Sequence, residues 1–188
     1  MKTEKEKMLE GVYYKPMDPE LSNDRRRAKI ILRKFNTTPV EEAEKKIEII
    51  RKFLGSVGKN VWIEPPFQCD YGYNIHLKDS VYFNVNCVIL DGNRVNIGKN
   101  VMFGPSVHIY TVTHPLDPIE RLTYKEITKP VNIGDNAWIG GCSVILPGIS
   151  IGKNSIVGAG GIVTKDIPDN VVAGGNPCKI IKKIQKSE

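Results

Sequence analysis

The sequence predicts a mainly β chain wound into a triangular prism of parallel strands, and three observations carry that reading. The first is a sixfold spacing. Across "VNIGDNAWIGGCSVILPGISIGKNSIVGAGGIV", from Val131 to Val163, aliphatic residues recur at Ile133, Ile139, Ile145, Ile151, Val157 and Val163. Neither a helix, with a period of ~3.6 residues, nor a flat strand, with a period of ~2, repeats at six. A chain that returns to the same place after three short strands does.

The second observation is recurrence on a longer scale. "VGKNVWI" from Val57, "LKDSVYF" from Leu77, "IGKNVMF" from Ile97, "IGDNAWI" from Ile133 and "IGKNSIV" from Ile151 align, with starts 20, 20, 36 and 18 residues apart. Eighteen is three hexads, twenty is three hexads with a two-residue bulge, and thirty-six is one coil carrying an 18-residue insertion. Repeats of this kind stack to bury a continuous core, each coil hydrogen-bonded to the next at ~4.8 Å. The third observation is the pair of residue types just after an inward aliphatic: Gly98 and Asn100, Gly134 and Asn136, Gly152 and Asn154. These types tolerate the tight or left-handed backbone of a prism corner. A sandwich of short strands would instead show strict alternation, with turns about every 8 to 12 residues.

An N-terminal helical segment, residues 1–56, holds one helix from about Glu20 to Phe35 with Ala28, Ile31, Leu32 and Phe35 inward. A second helix opens at Pro39 behind Thr38 and turns Ala43, Ile47, Ile50 and Leu54 to one face. The repeat occupies 57–175 and is broken by an excursion loop at 115–132, where Pro115 and Arg121 stand in place of aliphatics. Asn176 and Pro177 read as N-cap and first turn of a short C-terminal helix over 176–188. That helix carries Ile180, Ile181 and Ile184 and covers the open end of the prism, whose strand edges would otherwise stand unpaired.

Composition narrows the function classes. A chain of 188 residues with 40% apolar content supports one sizeable domain. Its start, "MKTEKEKMLEG", is charged without an apolar h-region, and no window approaches the ~18 apolar residues of a membrane span. The expectation is a soluble, cytoplasmic protein that engages no membrane. Cys69, Cys87, Cys142 and Cys178 lie far apart with no CxxC pair, so neither a zinc knuckle nor a disulfide framework is indicated. The net charge of +6 comes with basic residues interleaved among acidic ones before position 60, which argues against nucleic acid. Part of that excess would suit the phosphates of a nucleotide-like cofactor.

Three histidines exist, His76, His108 and His114. Trimeric prisms can hold zinc through three histidines, as the gamma carbonic anhydrases do. Here His108 and His114 are one hexad apart, on successive faces, and His76 falls in a bulge out of phase with both, so no metal site is expected. His114, in "YTVTHPLDP", ends the last regular strand where the excursion leaves the prism. An imidazole can take a proton from a hydroxyl near neutral pH, which Ser, Thr and Asn cannot. On the residues alone, an ordinary surface histidine is the plainer reading. No GxSxG, P-loop or strand-borne GxGxxG is present, and "GGNP" and "GAGG" sit where the prism needs corners.

Several stretches resemble one family. "SNDRRRAK", "CDYGYNI" from Cys69, "VNCVILD" from Val85, "HIYTVTHPLDP" from His108, "IGDNAWIGG" from Ile133 and "VTKDIPDNVVAGGNP" from Val163 are similar to the hexapeptide-repeat acetyltransferases, in their maltose and galactoside O-acetyltransferase branch. The resemblance runs over nearly the whole chain. It implies a left-handed parallel β-helix, a homotrimer with active sites between subunits, acetyl-CoA as co-substrate and transfer to a hydroxyl of a small-molecule sugar. Residue by residue, it implies His114 as general base with Asn84 facing it. Asp70, Tyr82 and Glu126 take acceptor-contacting positions, and Arg25 reaches the same cleft. Trp138, Gly141, Ala159, Thr164, Lys165, Lys179 and Lys182 line the coenzyme A groove; Trp138 reads equally well as a packing residue on the trimer face. The galactoside branch carries a carboxylate where this chain has Gly92 and a serine where it has Asp70, so the maltose branch is nearer. Transfer to another hydroxyl, on an oligosaccharide or an antibiotic, is the neighbouring reading. A β-helix used only as a scaffold is the reading from a different class.

Overall fold

A computed structural model describes residues 1–185. Three helices precede the prism. The first, α1 (Glu4–Glu10), has no counterpart in the sequence-based expectation; it begins in a reciprocal capping box, with Thr3 Oγ1 accepting from the Glu6 amide at 3.1 Å and the Glu6 carboxylate accepting from the Thr3 amide at 2.7 Å. It ends at Gly11, whose φ of 72° is the left-handed value a helix stop favours. The second, α2 (Pro19–Thr37), is capped by Asp18 and buries Leu21, Ala28, Leu32 and Phe35, while Ile31 packs at the rim. The third, α3 (Ala43–Phe53), starts four residues beyond the Pro39 signal. Thr38 closes α2 rather than opening α3: its amide bonds back to the Phe35 carbonyl at 3.2 Å and its hydroxyl to the Lys34 carbonyl at 2.7 Å.

The prism then winds through five full coils. The first is β1 (Ser56–Val57), β2 (Trp62–Ile63) and β3 (Phe67–Cys69); the second is β4 (Ile75–Leu77), β5 (Tyr82–Phe83) and β6 (Cys87–Leu90); the third is β7 (Val95–Ile97), β8 (Met102–Phe103) and β9 (His108–Tyr110). The excursion contributes β10 (Val112–Thr113), α4 (Pro118–Arg121) and β11 (Ile127–Thr128). The chain rejoins the prism at β12 (Val131–Ile133), followed by β13 (Trp138–Ile139) and β14 (Val144–Ile145), then β15 (Ser150–Ile151), β16 (Ile156–Val157) and β17 (Ile162–Val163). A partial sixth coil gives β18 (Val171–Gly174), and β19 (Lys179–Lys183) ends the described chain.

Three parallel sheets form the faces. The first face is β1-β4-β7-β12-β15, the second β2-β5-β8-β13-β16-β18, and the third β3-β6-β9-β14-β17. The sixfold aliphatics point inward: Ile133, Ile139, Ile145, Ile151, Val157 and Val163 are each at most 3% exposed. Toward α2 and α3 the core widens and aromatic rings fill it. Phe83 stacks on Phe103 at 4.2 Å, with Phe67 tilted against Phe83 at 5.8 Å. At the corners, Asn100, Asn136 and Asn154 take φ of 56°, 60° and 59°, and their amides bond to one another up the stack. The corner glycines have a different reason from the one expected. Gly134 is not left-handed; a Cβ there would stand 2.7 Å from the Lys153 amide of the next coil, so close stacking excludes a side chain.

Two expectations are corrected. The C-terminal helix is a strand. Gly175, at φ 95°, reverses the chain, and β19 pairs antiparallel with β18, matching Val171 with Lys183 and Gly174 with Lys179. Ile180 and Ile181, 55% and 66% exposed, are β-branched residues that suit a strand, and β18 offered a free edge to pair with. Positions 186–188 of that expected helix lie outside the described residues. His76 does not sit in a bulge: it lies in β4, in register with Ser56 and Asn96. The two extra residues of its coil fall just before it, at the corner formed by residues 70–74.

Candidate active site

That corner, between the third face and the first, is where regularity fails three coils running. Residues 70–74 leave β3, residues 91–94 leave β6, and the excursion leaves β9. In the first of these, Asp91 from the coil above accepts hydrogen bonds from the amides of Asp70, Tyr71 and Gly72 at 3.0, 2.8 and 2.7 Å. In the second, the Asn93 amide donates to Thr111 Oγ1 at 2.9 Å. Its side-chain amide reaches Thr128 Oγ1 at 2.9 Å and the Met8 carbonyl at the end of α1 at 3.3 Å. Every one of these polar groups is buried and partnered, so the corner is rigid.

The excursion is held as firmly. Its two arms pair, Val112 with Thr128 and Thr113 with Ile127. The segment after α1 then clasps the returning arm: Tyr14 and Glu126 exchange backbone bonds at 3.0 and 3.1 Å, and the Tyr14 hydroxyl donates to the Glu126 carboxylate. Burial raises the Tyr14 hydroxyl well above its ordinary pKa, and the Glu126 bond adds to it, so it remains a donor at neutral pH.

Between corner, clasp and α2 lies a cavity of 330 Å³ whose walls include Arg25, Asp70, His114 and Glu126. Four of the expected site residues are thus brought together. His114 follows β10 directly, is exposed, and turns Nδ1 to within 3.4 Å of the Lys125 carbonyl. A hydrogen on Nδ1 donated to that carbonyl leaves Nε2 as the basic nitrogen. Arg25 is committed to the wall itself, donating to Tyr71 Oη and to the Pro16 carbonyl, both at 2.6 Å. Among the described residues no donor reaches the Asp70 carboxylate. Burial raises its pKa, Arg25 opposes that, and the charge of Glu126 adds to it. Burial also pushes Tyr71 up to about 12, against Arg25.

The other expected residues stand elsewhere on the chain. Tyr82 and Asn84 lie on and just after β5 on the second face, where Asn84 Oδ1 accepts from the Val85 amide at 2.8 Å. Trp138, 49% exposed, shares that face, as do Lys179 and Lys182 on β19. Gly141 and Ala159 stack in adjacent coils at the corner between the second and third faces, and Thr164 and Lys165 lie at the far end of β17. On one chain these residues therefore fall into two groups, one at the cavity and along the third face, the other on the second face. No cluster of metal-ligating groups occurs among the described residues.

Sequence reasoning missed Tyr14, Tyr71 and Asp91. The 20-residue spacing of two successive coils marked the corners that need polar support, and Asp91 and Tyr71 sit at those corners. Tyr14 lies outside the repeat, and no spacing points to it.

With the geometry in hand, the kinship is specific. Residues 7–58 match the maltose acetyltransferase hexapeptide capping motif, and residues 130–165 match the hexapeptide repeat of succinyl-transferase. A galactoside O-acetyltransferase of Lactococcus lactis is 43% identical over 176 residues, which cover 93% of this chain and 85% of the relative. A maltose O-acetyltransferase structure from Clostridium difficile 630 superposes with a TM-score of 0.97 at 50% identity, covering 98% of this chain and 99% of that one. A galactoside acetyltransferase in complex with coenzyme A superposes with a TM-score of 0.95 at 40% identity, covering 98% and 92%. The left-handed parallel β-helix implied by the resemblance is the fold these proteins share. The chain belongs to the hexapeptide-repeat acetyltransferase family.

Proposed function

We propose that this chain transfers the acetyl group of acetyl-CoA to a hydroxyl of a maltose- or glucose-like sugar, with His114 as general base. The observation that carries the reading is the convergence of His114, Asp70, Glu126 and Arg25 on one cavity at the root of the excursion. Nε2 of His114 takes the proton as the hydroxyl oxygen attacks the thioester carbonyl carbon. The C–O bond forms, the C–S bond breaks, and the imidazolium returns the proton to the departing thiolate. The tetrahedral oxyanion needs a donor. The amide of Gly141 suits that role, since among the described residues it donates to no acceptor.

Coenzyme A is bound in this reading along the third face, from Gly141 and Ala159 to Thr164 and Lys165. Trp138, Lys179 and Lys182 come from the second face of a neighbouring copy, the three lysines meeting the phosphates. The outward residues support that assembly. The second face presents Trp62, Tyr82, Met102, Trp138, Ile156 and Val172, whereas the first presents Ser56, His76, Asn96, Asn132 and Ser150. The third presents Val88, Val144 and Ile162, with His108 among them and Gln68 at its α2 end. Two apolar faces and one polar face on a three-sided rod favour a closed homotrimer, each copy meeting two others. Asn84 and Tyr82 then come to His114 from the neighbour. The site is a cytoplasmic one in this reading, because all four cysteines are unpaired thiols, three of them buried.

The test is thiol release from acetyl-CoA across glucose, maltose and a galactoside. Replacing His114 with Ala should lower turnover about 10²- to 10⁴-fold while coenzyme A affinity is retained. Equal turnover in that variant removes His114 from the mechanism, and no thiol release with any hydroxyl acceptor leaves only a scaffold.

A further inference from the structure

We infer that Asp91 is the positioning residue of the acceptor cavity, setting Asp70 and, through Tyr71, Arg25, although it touches neither the cavity nor the substrate. The inference rests on the proposed acceptor cavity and goes beyond it. Asp91 is fully buried, at 0% exposure, and is absent from the cavity walls. Its Oδ1 accepts from the Asp70 and Tyr71 amides, its Oδ2 accepts from the Gly72 amide, and its own carbonyl accepts from Asn74 Nδ2 at 2.7 Å.

The corner explains why a carboxylate stands there. Elsewhere in the prism each coil donates its amides to carbonyls of the coil above: Trp62 to Val81, Tyr82 to Val101, Met102 to Ala137. Residues 70–72 carry the two-residue excess and turn through Gly72 at φ 82°, so their amides have left that ladder. Three converging donors require an acceptor with several lone pairs, and a carboxylate provides about four. Asp91 is thereby the fixed point of a backbone whose side chains are the cavity wall. Asp70 offers its carboxylate to the acceptor, and Tyr71 takes the Arg25 guanidinium at 2.6 Å. A shift of this corner by a fraction of an ångström moves both together, while the third and second faces, which carry the coenzyme in this reading, keep their own ladders.

The experiment is a double-mutant cycle at pH 8.5, where the Asp91 carboxyl is ionised, with glucose as acceptor probe, read as separate KM values for glucose and acetyl-CoA. Asp91→Asn keeps the shape but turns an NH2 group toward at least one amide donor, so the corner must move. The expected result is a 10- to 100-fold loss in kcat/KM for glucose, mainly through KM, with the acetyl-CoA KM within about twofold. In an Asp70→Ala background the same change should cost less than about threefold more, because only Arg25, reached indirectly through Tyr71, is then left to be displaced. An equal penalty in both backgrounds, or a matching rise in the acetyl-CoA KM, overturns the inference. If Asp91→Asn does not fold, Asp91→Ser, which keeps one acceptor oxygen, is read in the same cycle. Loss of folding in both makes Asp91 a requirement of the fold and also overturns it. Asp70→Ala alone separates the two readings: an unchanged glucose KM there sinks the acceptor cavity itself.

Discussion

Removal of one oxygen atom from the clasp tests how the excursion is held. Tyr14 is 1% exposed, and its ring packs with Met8, Leu21 and Tyr71. Tyr14→Phe keeps that ring and opens no cavity, so the loss is confined to the hydroxyl and its bond to the Glu126 carboxylate. A hydrogen bond to a charged group contributes ~1.5–3 kcal/mol. Glu126 is only half-buried, so water recovers part of this, and the lower end, ~1.5 kcal/mol, applies. For a chain of this size that is roughly 3–6 °C in Tm, measured at one fixed protein concentration because assembly also stabilises. The freed carboxylate should raise the acceptor KM several-fold, since ~1 kcal/mol of lost positioning corresponds to about fivefold. The effect should be constant from about pH 6 to pH 9, because the buried hydroxyl stays protonated throughout. Tyr14→Ala, which also removes the ring, should cost ~3–5 kcal/mol. A Tyr14→Phe protein with unchanged melting and unchanged acceptor KM would refute the clasp.

Two further outcomes concern the same corner. A Cβ on Gly92 would stand 2.7 Å from Val112 Cγ2 and 2.9 Å from Thr128 Cγ2, so Gly92→Ala should lower stability by ~1–3 kcal/mol in urea melts. Val112→Ala placed on top should recover part of that loss rather than add to it, and additive losses would show that the crowding lies elsewhere. Asp91 is pushed up to about 7, by burial first and by the charge of Asp70, against the amides of Tyr71 and Gly72. Between about pH 4 and pH 7 the folded chain therefore keeps a proton that the unfolded chain has lost. Stability from this group falls as pH rises through that window, by up to ~4 kcal/mol at ~1.4 kcal/mol per pH unit, and levels off above it. Urea melts at pH 4.5 and pH 8 should show the slope, and Asp91→Asn should flatten it; an identical slope in the variant assigns it to another group.

The prism was legible because its period is enforced at every coil. An inward Ile139 or Ile145 has no alternative to the core, so the sixfold spacing survives in the sequence undiluted. His114 stood out because it lies where the spacing stops, but only the family resemblance gave it a role. The helical flanks were less legible. Thr38 and Pro39 are the right residues for a helix start, but the Thr38 amide and hydroxyl were already spent on closing α2. Asn176 and Pro177 misled in the same way, since a free strand edge nearby outweighed a local capping signal. The cavity walls were legible only in part. Asp70, Glu126 and Arg25 came from family resemblance, while Tyr14 meets Glu126 across 112 residues, a pairing fixed by tertiary packing alone.

A regular prism offers no concavity: its interior is filled by aliphatic side chains and its faces are flat ladders. A pocket for an alcohol can form only where chain leaves the ladder, and the departing amides must then find acceptors off it. The three departures after β3, β6 and β9 lie on one edge, so each can supply what the one below has lost. Asp91 does so for residues 70–72, and Thr111 does so for Asn93. Stacked irregularity of this kind is self-supporting, and from the third face only Leu90, at the end of β6, joins the cavity walls. The 20, 20 and 36 in the repeat spacing are, on this view, the sequence record of the cavity, and the 18 is the record of a coil with no part in its walls.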